Sequence, residues 1–174
     1  MNPYLKEKLE PYIKLAPFVG IGLAVVLVAV VFIVFNQRGA HMELLGSILK
    51  VRTLALDDNS AAAIIDFRVR NPSDYPWVVR TVTVTMTDAS GNVSEGSAIS
   101  EVDATNLFQY FPALGQKFNP SMIDRTRIRG GQTMDRMLAI RFDVSQKVLD
   151  ARKGLRIHIV ELDGPEADLV EGAK

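Results

Sequence analysis

Cysteine is absent from this chain, which excludes disulfide staples, thiolate metal sites and a cysteine nucleophile. Whatever folds here is held by its apolar core alone. A surplus of either charge is missing too: 20 basic and 20 acidic side chains cancel, so no overall field invites nucleic acid as a partner. Only two histidines occur, His41 and His158, and neither is accompanied by other residues at metal-ligand spacing. The acidic cluster Glu161, Asp163, Glu166 and Asp168 does not match a calcium loop. No Gly-x-Ser-x-Gly element marks a serine nucleophile, and Gly130 and Gly131 do not extend into a phosphate-binding loop. No catalytic residue, metal or cofactor is therefore expected, and the chain reads as non-enzymatic.

Charge is also missing locally. From Leu15 to Phe35 no side chain is ionic, and about 21 residues at about 1.5 Å each match a hydrocarbon core roughly 30 Å thick. Leu, Ile, Val and Phe dominate the run, so insertion is favoured by several tenths of a kcal/mol per residue with nothing opposing it. A transmembrane helix over 15–35 is expected, after a short cytoplasmic tail, 1–14, and before a juxtamembrane linker, 36–47. Lys6, Lys8 and Lys14 precede the run and Arg38, Lys50 and Arg52 follow it, which gives no decisive charge asymmetry. A short tail ahead of a large domain is nevertheless the layout of an uncleaved signal anchor. Arg38 stands where cleavage would need a small residue. A disulfide-free envelope domain suits a bacterial source. The expected location is the bacterial inner membrane, with the amino terminus cytoplasmic and the domain periplasmic or extracellular. Within the span, Gly20 and Ala24 are candidates for close helix packing.

Past Ser47 the pattern changes to short alternating segments separated by turn residues, the signature of sheets with one buried face. Leu49, Val51 and Ala55 oppose Lys50 and Arg52. Ala63, Ile65, Phe67 and Val69 oppose Asp66, Arg68 and Arg70. Val82, Val84 and Met86 alternate with Thr81, Thr83, Thr85 and Thr87; Leu138, Ile140 and Phe142 oppose Arg141; Leu155, Ile157 and Ile159 oppose Arg156 and His158. Weaker strands are expected near 93–99 and 125–129. Ser145 is placed to cap a short helix containing Val148, Leu149 and Arg152, with Gly154 placed to end it. About seven strands with one helical connection imply a mainly β fold, an immunoglobulin-like β-sandwich over 48–163. Residues 164–174 read as a polar tail with little to bury.

Strand, Asn71-Pro72, Tyr75-Pro76, strand, then Ile128-Arg129-Gly130-Gly131-Gln132-Thr133 before Leu138–Phe142, and a helix before Leu155–Leu162, form a recognisable arrangement. It resembles the membrane-tethered immunoglobulin-like domains grouped with the late embryogenesis abundant type 2, WHy and FxLYD classes. The resemblance covers about Ile48 to Asp163 and rests on short motifs. It implies a binding or structural module and carries over no catalytic residue. The aromatic stretch from Asp103 to Met122 departs from the family's usual short connection.

That stretch holds the main candidate surface. Leu107, Phe108, Tyr110, Phe111, Leu114 and Phe118 lie in a loop-like insertion, where Leu107, Phe108, Phe111 and Leu114 would share a helical face. They either dock on a protein or lipid surface or cover an open end of the sandwich. Tyr75 and Trp77 form a second aromatic tip, suited to a membrane boundary or, for Trp77, to the core. Arg125, Arg127 and Arg129 alternate on one face of a strand. They either meet an anionic partner or simply protect a solvated edge. The function expected is that of a single-pass accessory subunit whose domain docks on integral membrane protein subunits, in a respiratory or photosynthetic complex for instance. The alternative is an independent envelope protein that binds lipid or another apolar ligand.

Overall fold

The computed structural model describes residues 17, 19–33 and 43–172. The chain divides into two compact units, Met1–Ala40 and His41–Lys174. In the first, residues 19–33 form helix α1, and all of them are exposed, Gly20 and Ala24 included. Among the described residues no helix is long and apolar enough to cross a membrane. Leu15, Ala16, Phe18, Val34 and Phe35 of the expected span lie outside the described residues, as do the tail 1–14 and linker residues 36–42.

The second unit is mainly β, a curled antiparallel sheet. Its strands are β1 (Leu45–Ala55), β2 (Ala61–Arg70), β3 (Trp77–Thr87), β4 (Val93–Ala98), β5 (Arg127–Ile128), β6 (Thr133–Phe142), β7 (Gly154–Glu161) and β8 (Glu166–Val170). Their order is β1-β2-β6-β4-β3-β7-β8, with β5 paired to β3. The alternating apolar positions meet inside the curl. Ala63, Ile65, Phe67 and Val69 of β2 and Ile140 and Phe142 of β6 share a core with Val84 and Met86 of β3 and Leu155, Ile157 and Ile159 of β7. The curl is made possible at β4, whose first residues pair with β3 and whose last two, Ser97 and Ala98, pair with β6. At that corner Gly96 lies against Ile140 and the Phe142 ring, where even a Cβ would collide.

Several expectations need correction. A bulge between Ile48 and Lys50 turns Leu49 outward, so it is 48% exposed while Ile48 and Val51 pack on the core. The strand expected over 125–129 shrinks to the two residues of β5. Helix α3 (Gln146–Asp150) forms where expected, but Ala151 is its C-cap and Gly154 instead opens β7. The supposed polar tail supplies β8, which pairs with β7 and buries Ala167 and Leu169. Only Ala167 and Leu169 alternate inward in this short acidic segment, too little to reveal a strand.

The Asn-Pro and Gly-Gly-Gln-Thr motifs prove to be two halves of one junction. The Asn71 side chain is fully buried; its amide donates to the carbonyls of Tyr75 (2.7 Å) and Ile128 (3.1 Å), and its oxygen accepts from the Ser73 amide (3.0 Å). Gly130 sits where a Cβ would lie 2.5 Å from the Asp74 carbonyl oxygen, and the Gly131 amide donates to Ser73. The glycines let the two turns close on each other.

Candidate interaction surface

The aromatic insertion begins with a helix. Ser100 caps α2 (Glu101–Tyr110): its hydroxyl oxygen accepts from the Asp103 amide at 3.1 Å, and Glu101 and Asp103 place negative charge in the first turn. A short 3-10 turn, Pro112–Leu114, follows. Lys117 then returns to ion-pair with Glu101, closing the insertion on itself. This pairing, and next to it the Ser121 hydroxyl, hold the Glu101 carboxyl below its ordinary value.

The insertion lies on the outer face of β1, β2 and β6. Ile64, Met137 and Ala139 point outward there, and Ala104 and Leu114 are buried against them, with Leu107 and Phe108 packed alongside. A polar latch fixes the arrangement. Arg52 on β1 donates to Asp66 on β2 at 2.7 Å and to the carbonyls of Leu114 (2.7 Å) and Gln116 (2.9 Å). Asn119 donates to the second Asp66 oxygen at 2.9 Å. Both charged side chains are under 10% exposed. The guanidinium carbon also lies 4.9 Å from the centre of the Phe108 ring and 6.0 Å from that of Phe118, within cation–π range. One buried cation thus gathers a β-strand, the 3-10 turn and two rings.

The candidate aromatics divide accordingly. Leu114 is core, and Leu107 and Phe108 are half-buried. Tyr110 and Phe118 stay largely exposed, at 75% and 67%, and Phe111 lies at 38%. The outer surface of the insertion therefore shows rings on a segment that Arg52, Asp66 and Lys117 tie down. The second tip divides too: Trp77 is buried in the main core, its indole N–H without a partner among the described residues, whereas Tyr75 is exposed. The arginine stripe is not a stripe. Arg125 has φ 63° and sits in a loop, while Arg127 and Arg129 flank the buried Ile128; all three are exposed.

The latch was missed because Arg52 and Asp66 each look like an ordinary outward charge on an alternating strand. A signal existed in the run Ala61-Ala62-Ala63-Ile64-Ile65, which is apolar on both faces of β2 and so requires a cover on each. His158 has two acidic neighbours on β8. The His158 Nδ1 lies 2.9 Å from Asp168, and its Nε2 3.7 Å from Glu166. These carboxylates sit at different ring nitrogens and do not converge: among the described residues no group of three such side chains could hold a metal ion. Glu161, grouped with them in the sequence, is buried and accepts from the Val78 amide at 3.4 Å. His41 lies outside the described residues. No family model, curated protein or solved structure matches the chain.

Proposed function

We propose that the protein is a non-catalytic, single-pass accessory subunit whose extracytoplasmic domain docks on other membrane protein subunits. The observation that carries this reading is the braced insertion: exposed Tyr110 and Phe111 stand where α2 meets the 3-10 turn, and exposed Phe118 lies in the segment after it, between Gln116, whose carbonyl accepts from Arg52, and Asn119, which donates to Asp66. Rigid aromatic side chains lose little entropy on binding and suit the centre of an interface. In this reading the curled sheet is an immunoglobulin-like sandwich, the fold implied by the resemblance of the Asn71-Pro72 and Gly130–Thr133 motifs, and β4 passes from one of its layers to the other.

The charge-free run Leu15–Phe35, helical over the described residues 19–33, supports the anchor. Tethering would raise the effective concentration of the domain at its partner, so modest contacts by the insertion and by the Gly20–Ala24 face of the anchor would suffice together. Extraction in a mild detergent followed by sizing tests the reading. A stoichiometric set of co-purifying membrane subunits is expected; a lone monomer carrying lipid would instead support an independent lipid-binding envelope protein.

A further inference from the structure

The outer face of β4, β3, β7 and β8 carries no insertion, and one end of it opens into a cleft of about 340 Å³. Gly154 lines its floor: a Cβ there would meet nothing within 4 Å. Register sets Gly154 opposite Thr87 and Arg156 opposite Thr85. Val93, paired with Thr87, and Val170, paired with Arg156, form apolar walls that are 67% and 40% exposed. Lys153 and Arg156 are the cleft's exposed cations. Among the described residues neither has an ion-pair partner. The acid in the lining, Glu171, already accepts from Nε and Nη2 of Arg152 at 2.9 and 2.7 Å. Along the same face Asp168 is engaged with His158, and Glu95 lies across β3 from Arg156, outside the lining. The free charge of the cleft is therefore positive, beside two threonine hydroxyls that make no hydrogen bond among the described residues.

We propose that this cleft binds a phosphate group, neutralised by Lys153 and Arg156 and hydrogen-bonded by Thr85 and Thr87, with Val93 and Val170 against the body that bears it. Thr85 and Thr87 from β3, Arg156 from β7 and Lys153 from the turn that precedes β7 line one cleft, so four donors are available to a single group. A tetrahedral group with several terminal oxygens can accept from all of them, whereas a planar carboxylate offers two oxygens in one plane. The cleft is larger than a bare phosphate, which leaves room for a glycerol or sugar body. A phospholipid headgroup and a soluble phosphate ester share this chemistry. The site does not depend on the aromatic insertion or on the accessory-subunit reading.

The test is an amide NMR titration of the full chain in mild detergent, with glycerol 3-phosphate in one arm and dihexanoyl phosphatidic acid in the other. Saturable shifts at Thr85, Thr87, Gly154 and Arg156 are expected. Equal affinity in the two arms marks a soluble ester, and phosphatidic acid binding at least about tenfold tighter marks a lipid headgroup. Lys153→Gln and Arg156→Gln should each weaken binding about threefold and the pair about tenfold. Gly154→Leu, which fills the floor, should abolish it with the rest of the spectrum unchanged. The proposal is overturned if neither compound gives a saturable shift, if chloride at matched ionic strength gives the same shifts, or if the double variant binds as tightly as the native chain.

Discussion

β2 and β7 occupy corresponding places in the two halves of one curled sheet, yet β2 is buried on both faces from Ala61 to Phe67 while β7 alternates buried and accessible positions along its length. The difference lies in what covers each half. Over β2 the chain invests an insertion of some twenty residues, held by a desolvated arginine–aspartate pair; over β7 it leaves threonine, arginine and histidine to water. A buried ion pair is weak evidence of net stabilisation against an apolar replacement. Here its geometry points to specificity: Arg52 reaches two backbone carbonyls of the insertion that only a multi-donor side chain could satisfy together.

Removing the latch is the harshest way to break this contrast. Arg52→Ala strands the buried Asp66 carboxylate and should cost about 3–5 kcal/mol in urea unfolding. On the bare half, Arg156→Gln should stay within about 0.5 kcal/mol. Equal effects would mean that the latch is not buried in solution. Leu114→Ala removes the apolar plug under the same cover and should cost about 2–5 kcal/mol, whereas Val93→Ala at the exposed edge should be near neutral. Phe108→Ser belongs with Leu114→Ala in sign, because that ring stacks under Arg52.

Acid should sharpen the contrast with smaller effects. Glu101 is held below its ordinary value by Lys117 first, and Asp135 below its own by Arg68. A carboxyl whose folded value is lowered stabilises the fold above its unfolded value and loses that contribution as pH falls through the folded one. Loosening is therefore expected only below about pH 4. It should appear first around α2, as faster amide exchange at Leu107 and Phe108 than at Ile157. The reverse order would show that the insertion is not held from Glu101.

Much of the strand framework was legible because period-2 alternation is a direct record of one-sided burial. It gave β2, β3, β6 and β7 with the right residues inward. Three things were not legible, each for a physical reason. The bulge at Leu49 is a one-residue register change that no composition signal marks. β8 has only Ala167 and Leu169 to bury and gains its order from pairing with β7. The latch joins Arg52 and Asp66 to Leu114 and Asn119, residues some fifty or more positions apart in the chain. At the candidate surface the aromatic stretch was visible, but which rings face outward depended on where the cover sits. Leu114 and Trp77 went to the core, while Tyr110, Phe111 and Phe118 stayed outside.

The central claim is that these outer rings contact a partner and contribute little to the fold. Its most direct test is a Tyr110→Ser variant, expressed in its native host and extracted in mild detergent beside the unmodified chain. An unfolding midpoint unchanged within about 2 °C is expected, together with loss of the membrane subunits proposed to accompany the unmodified chain. Retention of those subunits by the variant, or a collapse of its unfolding midpoint, would contradict it.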